Sequence, residues 1–241
     1  GFGQQVSITV QVGPAGLAAA DLTGNTKPDI AVANSGSDSV SIISNTSIPG
    51  SLSFAVTQTV AVGDEPVALD AGPLDANGSF DLIVANRSSD SLSLLTNNGA
   101  GSFTNSATIA AGDAPTDVRV ARFEGLAGSD PDIDIVVVNG GDGTAGFYFN
   151  DGNAAFAPPV IIDLGLLGAL VVQPGDLDNN KDDPQGIDIV VGDAAGGEAA
   201  IVLNNGDGTF QPAVVLPVGG GIGGLQGSLA LADLDGDNDL D

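Results

Sequence analysis

The 241-residue chain contains no His, Cys, Met or Trp, a single Tyr, and only five basic residues: Lys27, Arg87, Arg119, Arg122 and Lys181. Without cysteine there is no disulfide framework and no thiol nucleophile, and without histidine as well, zinc centres and His-based triads are excluded. The few basic residues face thirty-one acidic ones, a formal charge of −26. A surface of that sign repels phosphate backbones and anionic lipid head groups, so no nucleic-acid partner is expected. The uncharged run Gly208 to Ala232 is broken by Pro212, Pro217 and several glycines, so no membrane insertion is expected of it.

What the chain does have is a recurring acidic loop. Asp21-Leu-Thr-Gly-Asn-Thr-Lys-Pro-Asp29 is matched by Asp233-Leu-Asp-Gly-Asp-Asn-Asp-Leu-Asp241, with the same outer carboxylates and the same glycine at the fourth place. Three looser copies end at Asp81, Asp134 and Asp188, so the endpoints are spaced by 52, 53, 54 and 53 residues. Self-similarity at such a period marks an array of one structural unit. The units run approximately over 13–62, 63–112, 113–164 and 165–218, with a partial one at 219–241.

Within each unit, short β-type runs alternate with turn residues. In the first they are Gly16–Asp21, Ile30–Asn34, Ser39–Ser44 and Phe54–Val62. The apolar string Ile30-Ala-Val-Ala33 suits a strand buried on both faces, whereas Val56–Val62 alternates as an outer strand does. The order repeats as Leu82–Asn86, Ser91–Leu95 and Phe103–Ala110; as Ile135–Asn139, Gly146–Phe149 and Phe156–Ile162; and as Ile189–Gly192, Ala199–Leu203 and Phe210–Val218. Hairpins rich in Asn-Gly and Asp-Gly join the last two strands, at 97–103, 150–156 and 204–210, and supply the positive φ that tight turns need. No helical periodicity competes. Four-stranded antiparallel units of this length read as propeller blades, since one small sheet cannot bury both faces alone. In this alignment Phe2–Val12 matches an outer strand and Asp241 stands just before the strand that should follow the fifth loop, so a longer parent chain or an assembly supplying the absent strands is expected.

The stretch Asp21 to Asn34, together with the Asn-Asn-Gly-Asp-Gly-Thr-Phe hairpin at 204–210, resembles the FG-GAP/VCBS repeats of bacterial secreted proteins, a repeat type also found in the integrin α-subunit propeller. The resemblance implies an all-β propeller, commonly seven-bladed, with calcium in the loop between the first two strands of a blade. About four to five blades would be represented here, seven requiring roughly 370 residues by the same repeat logic.

The loop residues themselves suit a hard cation. Oxygen donors at places 1, 3, 5 and 9, with a backbone carbonyl at place 7, can supply much of the six-to-eight-oxygen shell that calcium accepts. In the first loop these are Asp21, Thr23, Asn25, the Lys27 carbonyl and Asp29; in the fifth, Asp233, Asp235, Asp237, the Asp239 carbonyl and Asp241. The fourth keeps Asp176, Asp178, Asn180 and Asp188 around a four-residue insertion in which Asp182 or Asp183 could contribute. The second has Pro73 at its first place and retains Asp75, Asn77 and Asp81. The third has Arg122 there, with Glu124 and Asp134, and is expected to hold no ion, the guanidinium serving as counter-charge. The alternative for every loop is an Asp/Asn/Gly turn capping its own backbone, and that reading is preferred for Asp151 and Asp207 in the hairpins.

Three functions are consistent with these features. The first is a non-enzymatic, calcium-binding propeller, secreted or on the cell surface, that contacts other proteins, matrix or assembly subunits. The second is a glycan-binding propeller, for which the chain is poor in the aromatics that stack on sugars. The third is the non-catalytic part of a secreted polysaccharide-active or other hydrolytic enzyme. The acids nearly all belong to repeat loops and leave no isolated catalytic pair, so the chain is not expected to be an enzyme.

Overall fold

A computed structural model describes residues 5–123, 132–178, 186–193, 197–219, 229–233 and 240. Its described residues are all-β, with sixteen strands in four antiparallel sheets of four, each sheet following chain order from first strand to last. Residues 1–110 form one compact unit and residues 111–241 a second.

The first unit holds two sheets. One is made of β1 (Pro14–Ala20), β2 (Asp29–Asn34), β3 (Ser39–Asn45) and β4 (Phe54–Ala61); the other of β5 (Pro66–Gly72), β6 (Asp81–Asn86), β7 (Ser91–Asn97) and β8 (Phe103–Ala110). The second unit holds β9 (Pro115–Ala121), β10 (Asp134–Asn139), β11 (Thr144–Tyr148) and β12 (Val160–Asp163), then β13 (Ala169–Gly175), β14 (Asp188–Asp193), β15 (Glu198–Val202) and β16 (Val214–Pro217). These are blades of the β-propeller type.

Burial follows the apolar strings. β6 and β10 are buried at every residue, as strands covered on both faces must be, while β8 and β4 alternate or are open. In the first unit the two sheets meet through Ala31, Ala33, Val40 and Ile42 against Leu69, Leu82, Val84 and Leu95. In the second, Val136, Val138 and Phe147 pack with Val172, Ile189, Val191 and Val202. Phe147 lies edge-on to Phe123, with ring centroids 5.1 Å apart, and stacked on Phe210 at 3.8 Å.

Three expected outer strands are altered. Residues 5–12 of the Phe2–Val12 run form no strand, the first four residues lying outside those described; among the described residues no strand lies beside them to complete a ladder, and they are tied down at Val12, whose carbonyl accepts the Gly36 N–H at 3.1 Å and whose N–H donates to Ser37 Oγ at 2.9 Å. The Phe156–Ile162 run is interrupted by Pro158 and Pro159, so that Phe156 makes an isolated bridge to Asn150 and β12 starts at Val160. Likewise Phe210 bridges Asn204, and β16 starts two residues after Pro212.

Candidate cation site

The ninth residue of each loop opens the second strand of its blade and is buried: Asp29, Asp81, Asp134 and Asp188 are all no more than 1% exposed. A buried carboxylate needs donors, and the backbone provides them. One oxygen accepts the N–H at the end of the third strand, from Asn45 (2.7 Å), Asn97 (2.8 Å), Asn150 (2.9 Å) and Asn204 (2.8 Å) respectively. The other accepts an N–H from the start of its own loop: Thr23 (2.8 Å), Leu74 (3.1 Å), Phe123 (2.9 Å) and Leu177 (2.8 Å). Each Asp therefore bolts the loop to two strands of its own blade, whatever else it binds.

The four asparagines complete the joint and were not singled out among the sequence-predicted site residues. Their side-chain amides donate to the carbonyl just before the Asp, from Pro28 (2.9 Å), Phe80 (2.9 Å), Ile133 (3.1 Å) and Ile187 (3.2 Å). Asn97 also reaches Leu22 O in the first loop, at 2.9 Å, and Asn204 reaches Phe123 O in the third, at 2.7 Å. Their signal in the sequence is a constant offset, each Asn standing sixteen residues after its Asp. The hairpin following Asn97 rests directly on the first loop. A Cβ at Gly101, where φ is +78°, would stand 2.7 Å from Thr23 Cγ2, so no side chain fits there.

The loops differ in what they offer an ion. In the first, the two Asp21 oxygens accept the N–H groups of Asn25 (2.9 Å) and Thr26 (2.7 Å), the Asn25 carbonyl oxygen accepts that of Lys27 (2.8 Å), and Thr23 Oγ1 donates to Asp29 (2.9 Å). The loop is thus closed on its own backbone, each oxygen keeping a further lone pair. In the second, Asn77 donates through both its N–H and its amide to Asp75, at 3.0 Å each. Burial pushes the Asp81 carboxyl up to about 6, against the lowering effect of the Asn97 N–H and with a smaller raising contribution from Asp75.

The fourth loop is the most concentrated. Oxygens of Asp176, Asp178 and Asp188 all lie within 4.8 Å of one another, the arrangement a divalent cation would bridge. Burial raises the Asp188 carboxyl, opposed by the Asn204 and Leu177 N–H groups, with Asp178 and Asp176 pushing it further up. Three converging carboxylates repel one another when ionised, so this donor set fits a hard cation. Asn180, Asp182 and Asp183 lie outside the described residues, as do Glu124 in the third loop and Asp235, Asp237, Asp239 and Asp241 in the fifth. Arg122 is exposed, and the third-loop residues 124–131 to which its expected counter-charge role refers lie outside the described residues. Asp151 and Asp207 do act as turn caps: they accept the N–H groups of Asn153 (2.9 Å) and Thr209 (3.1 Å).

Comparison with known proteins agrees with this construction. Residues 186–241 match the family model of the FG-GAP-like repeat. No curated protein matches the chain significantly. Among solved structures, a functionally unknown protein from Desulfotomaculum acetoxidans superposes with a TM-score of 0.59 at 16% identity, over 87% of this chain and 63% of that one. BBS1N, solved in complex with ARL6DN, superposes at 0.55 and 16% identity, over 84% and 57%. A lectin from Agrocybe aegerita, described as recognising non-reducing terminal N-acetylglucosamine, superposes at 0.51 and 21% identity, over 82% and 50%. The chain thus spans less than two thirds of each of these structures.

Proposed function

Starting from a chain of FG-GAP-like, propeller-type blades, we propose that it is a non-enzymatic calcium-binding module that makes contacts with other proteins, secreted or at the cell surface. The observation that carries the calcium reading is the convergence of Asp176, Asp178 and Asp188 within 4.8 Å. Calcium there would supply the positive charge that three crowded carboxylates lack, and Asn180 is the neutral oxygen donor of the same loop. Asp21, Thr23, Asn25, the Lys27 carbonyl and Asp29 would form the first-loop site, and Asp233 with its four alternate partners the fifth. The contact reading is supported by the fold shared with BBS1N, a protein solved with a protein partner.

A glycan partner is the second reading, favoured by the likeness to the Agrocybe aegerita lectin. The aromatics weigh against it. Tyr148, Phe123 and Phe147 are fully buried, and Phe80 is the only exposed aromatic among the described residues, leaving little to stack on a sugar face. A glycan array separates the two readings.

Calcium counted per chain after equilibrium dialysis tests the metal. Asp178→Asn, a change at an exposed residue, should reduce the count by one, while Asp207→Asn in the neighbouring hairpin should leave it unchanged. A wild-type chain that retains no calcium at millimolar concentration, where extracellular modules commonly bind at about 0.1–1 mM, would sink the reading.

A further inference from the structure

The two units differ at one outer position, and the second unit has a groove next to it. In the first unit Gln58 of β4 clasps the start of β8: its Nε2 donates to the Phe103 carbonyl at 2.7 Å and its Oε1 accepts the Phe103 N–H at 2.8 Å. Gln58 stands opposite Ile42 in the ladder, and Ile43 in turn faces Ile30, the residue after the loop Asp. In the second unit Tyr148 faces Ile135 and the preceding residue, Phe147, is paired with Val160. Val160 is therefore the counterpart of Gln58, and it has no group with which to make the clasp.

Phe210 is the counterpart of Phe103. It faces Asn204 across the hairpin as a narrow pair, with the flanking bonds Asn205 N–H to Thr209 O (2.9 Å) and Gln211 N–H to Leu203 O (2.8 Å). In that geometry the N–H and C=O of Phe210 itself point away from the hairpin, and they have no partner among the described residues. Beside them lies a groove of about 420 Å³ between β12 and residues 210–215, walled by Ile162, Leu164, Ala213 and Val215, with Asp163 also on its lining. Phe210, which lines it, is held in place by the stacking of its ring on Phe147.

We propose that this groove docks an extended segment of a partner protein that carries a Gln or Asn carboxamide between apolar side chains and has basic flanks, the carboxamide taking the role that Gln58 has in the first unit. A primary carboxamide offers a donor and an acceptor side by side, which is what an outward-facing peptide N–H and C=O require. The apolar neighbours follow from the groove walls. The basic flanks follow from charge: Asp163 lines the groove and the chain carries −26, which also disfavours a second copy as the occupant. The proposal rests on the reading of this chain as a protein-contact module and is independent of the calcium reading.

The test is a ¹⁵N-correlation titration of the whole chain, in calcium, with the peptide acetyl-Lys-Val-Gln-Val-Lys-amide. The Phe210 and Gln211 amide signals should shift, and the same peptide with Leu in place of Gln should bind about tenfold more weakly, the usual scale for losing one or two net hydrogen bonds. Val160→Gln should install the internal clasp and abolish the shifts. Val215→Lys, a change on the groove's open wall, should weaken the basic peptide if Val160→Gln fails to fold. An unmoved Phe210 amide, equal binding by the Leu peptide, or undiminished binding by both variants overturns the proposal, as does N-acetylglucosamine moving Phe210 where the peptide does not. Calcium-dependent melting measured on the same samples keeps the two readings apart. Its loss with peptide binding intact would sink only the metal, and the converse only the docking groove.

Discussion

At the residue scale the same side chain serves two masters. Asp29, Asp81 and Asp188 are expected as cation ligands and Asp134 closes a loop expected to hold no ion, yet each of the four satisfies two backbone N–H groups that burial would otherwise leave unpaired. Their asparagine partners do comparable work. Asn97 donates to Leu22 O and Phe80 O and accepts from Gly99 and Gly101, at 2.9, 2.9, 3.1 and 3.2 Å. Asn97→Ala should therefore destabilise the chain by about 2–4 kcal/mol, several buried groups losing partners at once, measured by denaturant unfolding. A change under about 0.5 kcal/mol, as at an ordinary surface site, would show that water replaces the amide.

Asp81 adds a pH dependence whose sign can be worked out. Its carboxyl is raised to about 6 in the folded chain, mainly by burial, so between pH 4 and 6 the folded state holds a proton that the unfolded state releases. This contribution to stability is complete below the unfolded value near 4 and is lost as pH rises through about 6, with a slope of at most about 1.4 kcal/mol per pH unit for one proton. In chelator, stability should fall over that window, and Asp81→Asn should flatten the fall. Asp188 is displaced in the same direction, so some slope should survive. An identical pH profile for Asp81→Asn would contradict the assignment.

At the scale of elements, the repeat made the blades legible because sheet patterning and turn chemistry agree in it. Apolar strings such as Ile30–Ala33 and Ile135–Val138 became inner strands, and the Asn-Gly hairpins fell where expected. The misses have two physical causes. Phe156–Ile162 and Phe210–Val218 read as continuous strands by periodicity, but the prolines inside them remove ladder donors, and residues 5–12 of the Phe2–Val12 run find no strand to pair with among the described residues. Which loops close on themselves and which bring several carboxylates together was not legible at all, since both are written in Asp, Asn, Thr and Gly. The aromatic contacts of the second unit were equally hidden, because Phe123, Phe147 and Phe210 come from separate segments. Phe147 joins the other two, and Phe147→Ala should cost about 3–5 kcal/mol, as for other buried aromatic truncations. A loss near 1 kcal/mol, read from urea unfolding, would mean that the surrounding strands collapse into the space.

At the scale of the whole molecule, a charge of −26 gives cations two ways to stabilise the fold, and they can be told apart. Any salt screens the repulsion among carboxylates, with a Debye length that contracts from about 10 Å at 0.1 M to about 3 Å at 1 M. Screening depends on ionic strength and not on the identity of the ion. A site such as Asp176, Asp178 and Asp188 instead selects a divalent ion by geometry, and an ion at a hundred times its dissociation constant adds about 2.7 kcal/mol for each independent site. The melting temperature in chelator should therefore rise from 0.1 to 1 M sodium chloride by screening alone. At fixed ionic strength, millimolar calcium should raise it further, and magnesium, which demands a smaller and stricter octahedral shell, should raise it less. Asp178→Asn should reduce the calcium increment while leaving the sodium chloride response almost whole, because it removes one ligand from a site but only one charge of many. Equal increments from calcium, magnesium and ionic-strength-matched sodium would assign the entire effect to screening and remove the bound ion from the account of this fold.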